Sequence, residues 1–211
     1  ACKEFNIPIT VGISTDKACN PKNLYGFSKT IMERMFLEAN NQKNIFCCTR
    51  FGNVIGSNGS VIPFWLNCKK KGNSIPVTDK SMNRLMITGK ESSIIIEKCI
   101  SEAKKKNGGF ILSKKMKNVV LFELANLISE NIEFVGLRPG EELNEDLIAE
   151  NELPFTLVDK DYIFINRNVN KDLNTRLKKP ISSKNSPKMN KIELLKLIEE
   201  VKTSFIKTTI Y

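Results

Sequence analysis

The run IPITVGIS, residues 7 to 14, constrains this chain more than any other segment. It is almost continuously apolar and too short for a buried helix, as expected of a parallel strand covered on both faces. A parallel strand needs a crossover to its neighbour, and the chain supplies one. After the turn DKACNPKN, a helix is predicted over residues 25 to 40, with Phe27, Ile31, Met35, Phe36 and Leu37 on its buried side. The next strand, NIFCCTRF, enters the glycine-rich loop GNVIGSNGS and a helix over residues 61 to 71. Further on come a short strand SIPVT, a helix over 90 to 105, a strand FILS, a helix VVLFELANLISE and a strand IEFVGL. A last helix over 191 to 202 should bury Ile192, Leu194, Leu195 and Ile198. Strands alternating with helices predict an α/β fold with a largely parallel sheet.

Composition excludes several chemistries. The chain has no histidine, which removes His-based triads, imidazole proton shuttles and His-ligated zinc. Acid and base work must fall to Asp, Glu, Lys, Tyr or Cys. The six cysteines, Cys2, Cys19, Cys47, Cys48, Cys68 and Cys99, form no C-x-x-C pair, so no metal site is expected and a reducing, cytoplasmic setting is. No apolar run reaches membrane-spanning length, and no membrane partner is expected. The formal charge is +10, but it is local. Residues 104 to 117 carry six lysines and no acid, and residues 166 to 191 carry eight cations against Asp172, leaving the remainder slightly acidic. The second stretch is rich in Asn, Ser and Pro and reads as a mobile surface linker rather than a polyanion site. Neither stretch interleaves aromatics, so nucleic acid is not an expected partner.

The residues able to do chemistry gather where an open parallel sheet places its site, at strand ends. The first strand closes in Ser14-Thr15-Asp16-Lys17, and Tyr25-Gly-Phe-Ser-Lys29 opens the following helix. Tyr25 and Lys29 are four apart and share a helix face. A tyrosine, with a free pKa of about 10, serves as a base near neutrality only when a cation stabilises its phenolate. Tyr-x-x-x-Lys alone arises by accident in a lysine-rich chain, and the Thr-Asp-Lys turn could be a plain helix cap; together they are specific. The loop Gly52-Asn-Val-Ile-Gly56-Ser-Asn-Gly59 approaches a dinucleotide fingerprint, but its spacing is G-x-x-x-G-x-x-G and it follows the tyrosine, so it reads as a decoy. Its amides and the helix start after Ser60 could still hold a phosphate, with Arg84 and Arg138 as guanidinium partners.

Four ordered blocks, STDKACNPKNLYGFSKTIMERMF, RFGNVIGSNGSVIPFW, PVTDKSMNRLMIT and GLRPGEELNE, resemble the extended short-chain dehydrogenase/reductases of sugar nucleotides. Within these the chain is most similar to the inverting UDP-N-acetylglucosamine 4,6-dehydratases of the CapD-like polysaccharide biosynthesis group, over residues 1 to 148. The resemblance implies the C-terminal part of a Rossmann-like sheet with a small α/β substrate-binding subdomain. Residues 1 to 150 would be the partial catalytic region and residues 151 to 211 a tail with the basic linker and terminal helix. It implies NADP as cofactor and UDP-N-acetylglucosamine as substrate. Tyr25, helped by Lys29 and Thr15, would take the C4 hydroxyl proton, Lys17 the C5 proton, and Asp16 would protonate the departing C6 hydroxyl. Tyr25, Lys29 and Asn53 would meet the cofactor; Asn53, Ser57, Ser60, Arg84, Arg138 and Glu141 would line the UDP-sugar site. The Tyr25 helix would form a homo-oligomer interface. Glu142 and Asn144 depart from the family's R-P-G-E-K-L-H-E, and the family's opening G-x-x-G-x-x-G, which grips the cofactor, has no counterpart here, so a missing front is expected. The rival functions are a UDP-hexose 4-epimerase and a non-catalytic UDP-sugar-binding remnant.

Overall fold

The computed structural model describes residues 1–57, 59–166 and 175–208, without the side chains of 204–208. Chain contacts divide it into two units, each assembled from three stretches, so the expected tail of 151 to 211 is shared between them.

The first unit comprises 1–52, 90–115 and 146–182. Its sheet has five strands. β1 (Ile9–Thr15) and β2 (Ile45–Phe51) run parallel in a seven-residue register from Ile9↔Ile45 to Thr15↔Phe51, and β6 (Phe110–Lys114) extends the parallel set. The crossover between β1 and β2 is α1 (Leu24–Ala39), and α3 (Gly89–Lys106) precedes β6. Cys47 and Cys48 in β2, Leu112 in β6, and Ile95, Cys99 and Ala103 in α3 form the sealed centre. The last three lie at i, i+4 and i+8, on one face of the helix.

Two features of this unit differ from the sequence reading. β10 (Thr156–Asp159) and β11 (Tyr162–Asn166) form a hairpin that adds antiparallel strands to the parallel set, in a segment expected to be tail. Lys160 supplies the positive φ of 56° at its turn, a position usually given to Asn or Gly. In α1, Phe27, Ile31 and Met35 are more than half exposed, contrary to their expected burial, and the buried positions are Gly26 and Glu33. A polar residue has taken the inner face because its partner there is charged.

The second unit comprises 53–89, 116–145 and 183–211. β3 (Asn53–Val54), β5 (Asn83–Ile87) and β7 (Lys117–Val120) form one small sheet, and β4 (Ile75–Val77) pairs in parallel with β8 (Ile132–Phe134) in another. Helices α2 (Val61–Lys70), α4 (Leu121–Ile128) and α5 (Lys191–Thr208) close one core around Trp65, Leu124 and Leu197. Trp65 is buried with its indole N–H on the Pro76 carbonyl, 2.9 Å away, as a buried indole requires. In α5 the buried set is Leu194, Leu197, Ile198 and Val201, while Ile192 and Leu195 are exposed.

From residue 175 onward the basic segment is tied to the fold. Residues 167–174, with Arg167, Lys171 and Asp172, lie outside the described residues. Beyond them, β12 (Ile181–Ser182) pairs with β9 (Asp146–Ile148) within the first unit. In the second, Asn118 takes backbone bonds from both sides, donating to Pro187 at 2.8 Å and accepting from Met189 at 2.8 Å. Lys188 pairs with Glu123, and Lys117 with Glu193. Part of the lysine excess is thus neutralised locally.

Candidate active site

In the first unit the site grows from the end of β1. The chain leaves the strand at Thr15 and makes one 3-10 turn, Asp16–Ala18, capped by the Thr15 hydroxyl, which accepts from the Lys17 amide at 3.4 Å. The same hydroxyl donates to Asp16 Oδ1 at 2.9 Å. Lys17 Nζ lies 3.2 Å from that oxygen, with the Asp16 side chain fully buried and that of Lys17 28% exposed. A carboxylate and an amine therefore share one contact at a strand end, one sealed and one reaching solvent.

α1 is locked against this turn. Asn23 caps it, accepting from the Gly26 amide at 2.9 Å. A Cβ at Gly26 would lie 2.4 Å from the Lys17 carbonyl oxygen, so only glycine permits this approach. Thr30 then donates to the Ala18 carbonyl at 2.7 Å. These contacts carry Tyr25 and Lys29 to the β1 end. Lys29 Nζ donates to the Ile13 carbonyl at 2.9 Å and stands 5.8 Å from the Tyr25 ring centroid. Tyr25 is half exposed. Thr15, Asp16, Lys17, Tyr25 and Lys29 thus all belong to one strand end and the helix docked on it.

The same unit holds an ionic cluster that sequence reasoning missed. Arg50, in β2 and opposite Ser14 in the β1 register, is 2% exposed. Its Nε and Nη2 bind the two carboxylate oxygens of Glu33 at 2.9 and 2.6 Å. Nη1 and Nη2 bind Glu152 at 2.8 and 2.9 Å, and Nη1 also donates to the Leu147 carbonyl at 3.0 Å. Burial alone would pull the guanidinium pKa down, but the two carboxylates outweigh it and hold Arg50 above its ordinary value. Burial likewise pushes Glu152 up, yet Arg50 and the Ala149 amide prevail and leave it below the ordinary carboxyl value. Cys19, one residue past the 3-10 turn, directs its thiol at Glu152 over 3.5 Å, and burial drives that thiol's pKa far up. The chain separations, 17 and 102 residues, are why no local pattern exposes this cluster.

The other expected site residues lie in the second unit. Asn53 Nδ2 donates to the Leu85 carbonyl at 3.3 Å and to Glu145 at 3.4 Å. Arg84 is buried, its Nε 3.2 Å from Glu145, its Nη1 on the Asn83 and Leu143 carbonyls at 2.8 and 3.2 Å. Glu145, the last residue of the RPGEELNE block and not singled out in the sequence, thus joins Asn53 to Arg84. Arg138 and Glu141 close their own exposed turn, the Arg138 amide donating to the Glu141 carboxylate at 3.1 Å. Ser57 donates to the Val54 carbonyl at 2.8 Å, and Ser60 opens α2 without a side-chain capping bond. Gly56 and Gly59 on either side of Ser57 both take positive φ, 76° and 75°. Among the described residues no group of three metal-ligating side chains occurs, and no helix is long and apolar enough to cross a membrane.

Comparison with known proteins places this geometry. The polysaccharide biosynthesis protein family model matches residues 1–167. The chain is 33% identical to the inverting UDP-N-acetylglucosamine 4,6-dehydratase of Campylobacter jejuni over 176 residues, which is 80% of this chain and 52% of that enzyme. It is 31% identical to a UDP-glucose 4-epimerase of Rickettsia rickettsii over 151 residues, 67% of this chain and 43% of that protein. Among solved structures, Pen from Bacillus thuringiensis superposes with a TM-score of 0.85 at 30% identity, covering 94% of this chain and 63% of that one. The chain therefore spans about half the length of the curated relatives it matches.

The expectation of NADP is corrected. A dTDP-glucose 4,6-dehydratase from Bacillus anthracis (TM-score 0.52, 16% identical, 66% of this chain and 53% of that one) and a UDP-glucuronic acid 4-epimerase from Bacillus cereus (0.56, 17%, 67% and 53%) share the fold, and both hold NAD. NADP had come from the resemblance alone; the two cofactors are told apart by the group facing the ribose 2′ position, and no residue singled out in this chain had that role. Since the family model extends over residues 1–167 and takes in the β1 end, α1 and every motif block, the chain belongs to the polysaccharide biosynthesis protein family, among the nucleotide-sugar dehydratases and epimerases of the extended short-chain dehydrogenase/reductases.

Proposed function

We propose that the protein containing this chain dehydrates UDP-N-acetylglucosamine across C5 and C6, with inversion at C5, to a UDP-4-keto-6-deoxy sugar. The observation that carries the reading is the Asp16–Lys17 pair at the end of β1, beside the helix bearing Tyr25 and Lys29. The dinucleotide proposed is NAD, and its fit rests on the strand end. Lys29 uses one donor on Ile13, leaving others for ribose hydroxyls, and the buried Ser14 hydroxyl has no hydrogen-bond partner among the described residues. When bound, NAD would accept hydride from C4 and return it to C6.

The residues would divide the proton work. Tyr25 takes the C4 hydroxyl proton, with the Lys29 cation 5.8 Å from its ring centroid. The resulting ketone acidifies C5. One proton shift across the 3.2 Å contact turns the Asp16–Lys17 ion pair into a carboxylic acid and a neutral amine. Lys17 then removes the C5 proton while Asp16 protonates the C6 hydroxyl, which leaves as water. Two protons are taken, from the C4 hydroxyl and C5, and two are given, to the departing hydroxyl and back to C5 from the opposite face. The Thr15 hydroxyl holds Asp16 in place until a substrate hydroxyl competes for it. Asn53, Arg84, Arg138, Glu141, Ser57 and Ser60 are proposed for the UDP-sugar, with Arg84 oriented by Glu145. A homo-oligomer through α1 is supported by its exposed Leu24, Phe27, Ile31 and Met35, which recur at helical spacing.

The test is to express the complete coding sequence, supply UDP-N-acetylglucosamine and NAD, and follow the sugar by NMR in D2O. A 4-keto-6-deoxy product with deuterium at C5 supports the reading; absence of product removes it. The epimerase reading is favoured by the similarity to the Rickettsia protein. It predicts a C4 epimer formed at an unchanged rate by Asp16→Asn, since epimerisation needs no acid at C6.

A further inference from the structure

The buried cluster of Arg50, Glu33 and Glu152 is more than internal charge compensation. We infer that these three are positioning residues, which hold the base-bearing face of α1 and the Asp16–Lys17 turn in register at the end of β1. The inference rests on the proposed roles of Tyr25, Lys29, Asp16 and Lys17.

Three observations carry it. Tyr25, Lys29 and Glu33 lie at i, i+4 and i+8, so they form one row on one face of α1. Glu33 is therefore the inner end of the row whose outer end is the base, and Arg50 grips it with two bonds, Nε at 2.9 Å and Nη2 at 2.6 Å. A two-point grip fixes rotation about the helix axis as well as distance, which a single contact does not. Secondly, Arg50 stands opposite Ser14 in the parallel register, one residue before the Thr15↔Phe51 pair. The anchor point of α1 is thus set by the strand end that bears Thr15, Asp16 and Lys17. Thirdly, the other half of the guanidinium binds Glu152, whose Oε2 also receives the Cys19 thiol at 3.5 Å and the Ala149 amide at 3.0 Å. Cys19 follows directly on the Asp16–Ala18 turn. One guanidinium thus ties the helix, the strand end and the turn, and the Leu147 carbonyl adds the β9 segment.

Chemistry explains why arginine and two acids do this rather than apolar packing. Apolar side chains of similar volume would often be equally stable or more so, but packing is non-directional and allows a helix to roll or slide. Near-attack geometry does not tolerate that. A displacement of about 1 Å costs about a hundredfold in rate, without changing which groups are present.

The experiment uses the protein from its complete coding sequence and three variants, Glu33→Gln, Arg50→Lys and the apolar triple Glu33→Leu/Arg50→Met/Glu152→Leu. Thermal midpoint, kcat and KM are read together with amide hydrogen exchange. The expected result is a kcat lowered by at least about tenfold, with KM within about threefold. This loss should persist in the triple variant, whose midpoint matches or exceeds that of the parent. Exchange should rise over residues 16 to 19 and 24 to 33 and stay unchanged over α4, which a global loss of stability would not produce. A triple variant or Arg50→Lys with parental kcat overturns the inference. If the triple does not fold, Glu33→Gln measured well below its midpoint decides in the same way. If the parent makes no product, the proposed function fails on its own. The exchange arm then decides, since unchanged protection of α1 and the turn in Glu33→Gln overturns the positioning claim whatever the reaction is.

Discussion

At the scale of single residues, the β1 end combines groups whose removal should have different signatures. Tyr25→Phe deletes the hydroxyl that starts the reaction, so kcat should fall about 10²- to 10⁴-fold with UDP-N-acetylglucosamine binding, read by calorimetry, little changed. Lys17→Ala leaves Tyr25 and Lys29 intact, and the C4 oxidation with them. It should abolish the 4-keto-6-deoxy product while a single turnover of NADH absorbance at 340 nm, a wavelength set by the cofactor, survives. Loss of that transient as well would place Lys17 in binding rather than elimination. The placement of Tyr25, Lys29, Asp16 and Lys17 about one strand end was legible in the sequence because each pair is local, four residues or one residue apart. Arg50, Glu33, Glu152 and Glu145 were not, since an isolated charge in a sequence looks the same whether it faces water or a partner 102 residues away. Arg84 was recognised, but its commitment to Glu145 and to two backbone carbonyls was not.

At the scale of elements, helix α1 was located correctly but its buried face was misassigned. Of the apolar residues expected to face the sheet, Phe27, Ile31 and Met35 are exposed, and the inner face is made by Gly26, Thr30 and Glu33 through contact, hydrogen bond and ion pair. Periodicity locates a stripe but does not say which surface it meets. If a second copy covers the stripe, Phe27→Glu/Ile31→Glu should move the protein to its monomeric mass in light scattering, with the thermal midpoint of the monomer unaltered. Unchanged mass would leave the stripe without this role. On the inner face, Gly26→Ala places a methyl group 2.4 Å from the Lys17 carbonyl, so α1 and the turn must part. The expected cost is about 1–3 kcal/mol in urea titration, with a fall in kcat beyond that of an exposed control such as Ser28→Ala. The β10–β11 hairpin was missed for a related reason: TLVD and YIFIN are separated only by Lys160-Asp161, and a lysine at positive φ is not a recognised hairpin signal.

At the scale of the whole molecule, the two units should differ in their response to acid, because the three-membered cluster of Arg50, Glu33 and Glu152 lies in the first. Glu152 has a folded pKa below its ordinary value of 4.5, so its pairing with Arg50 stabilises the first unit fully above that value and is lost as pH falls through the lower folded one. Protonation leaves the fully buried Arg50 with one carboxylate fewer, and losing a partner from a buried pair costs about 3–5 kcal/mol. Glu102, in the same unit, is desolvated by burial yet held below its ordinary value by Lys98, so it titrates in the same direction. The second unit holds one smaller buried pair, Arg84 with Glu145, beside an apolar core around Trp65 that contains no titrating group. The chain contains a single tryptophan, so its fluorescence reports on the second unit alone, whereas far-UV circular dichroism reports on both. On lowering the pH below about 4.5, ellipticity should begin to fall before Trp65 emission shifts to the red. In the apolar triple variant of Glu33, Arg50 and Glu152 the early phase should move to lower pH, because the Glu152 carboxylate is gone. Coincident transitions in the parent protein would show that the two units unfold as one, and that the buried ions, however well paired, do not set the acid limit of this chain.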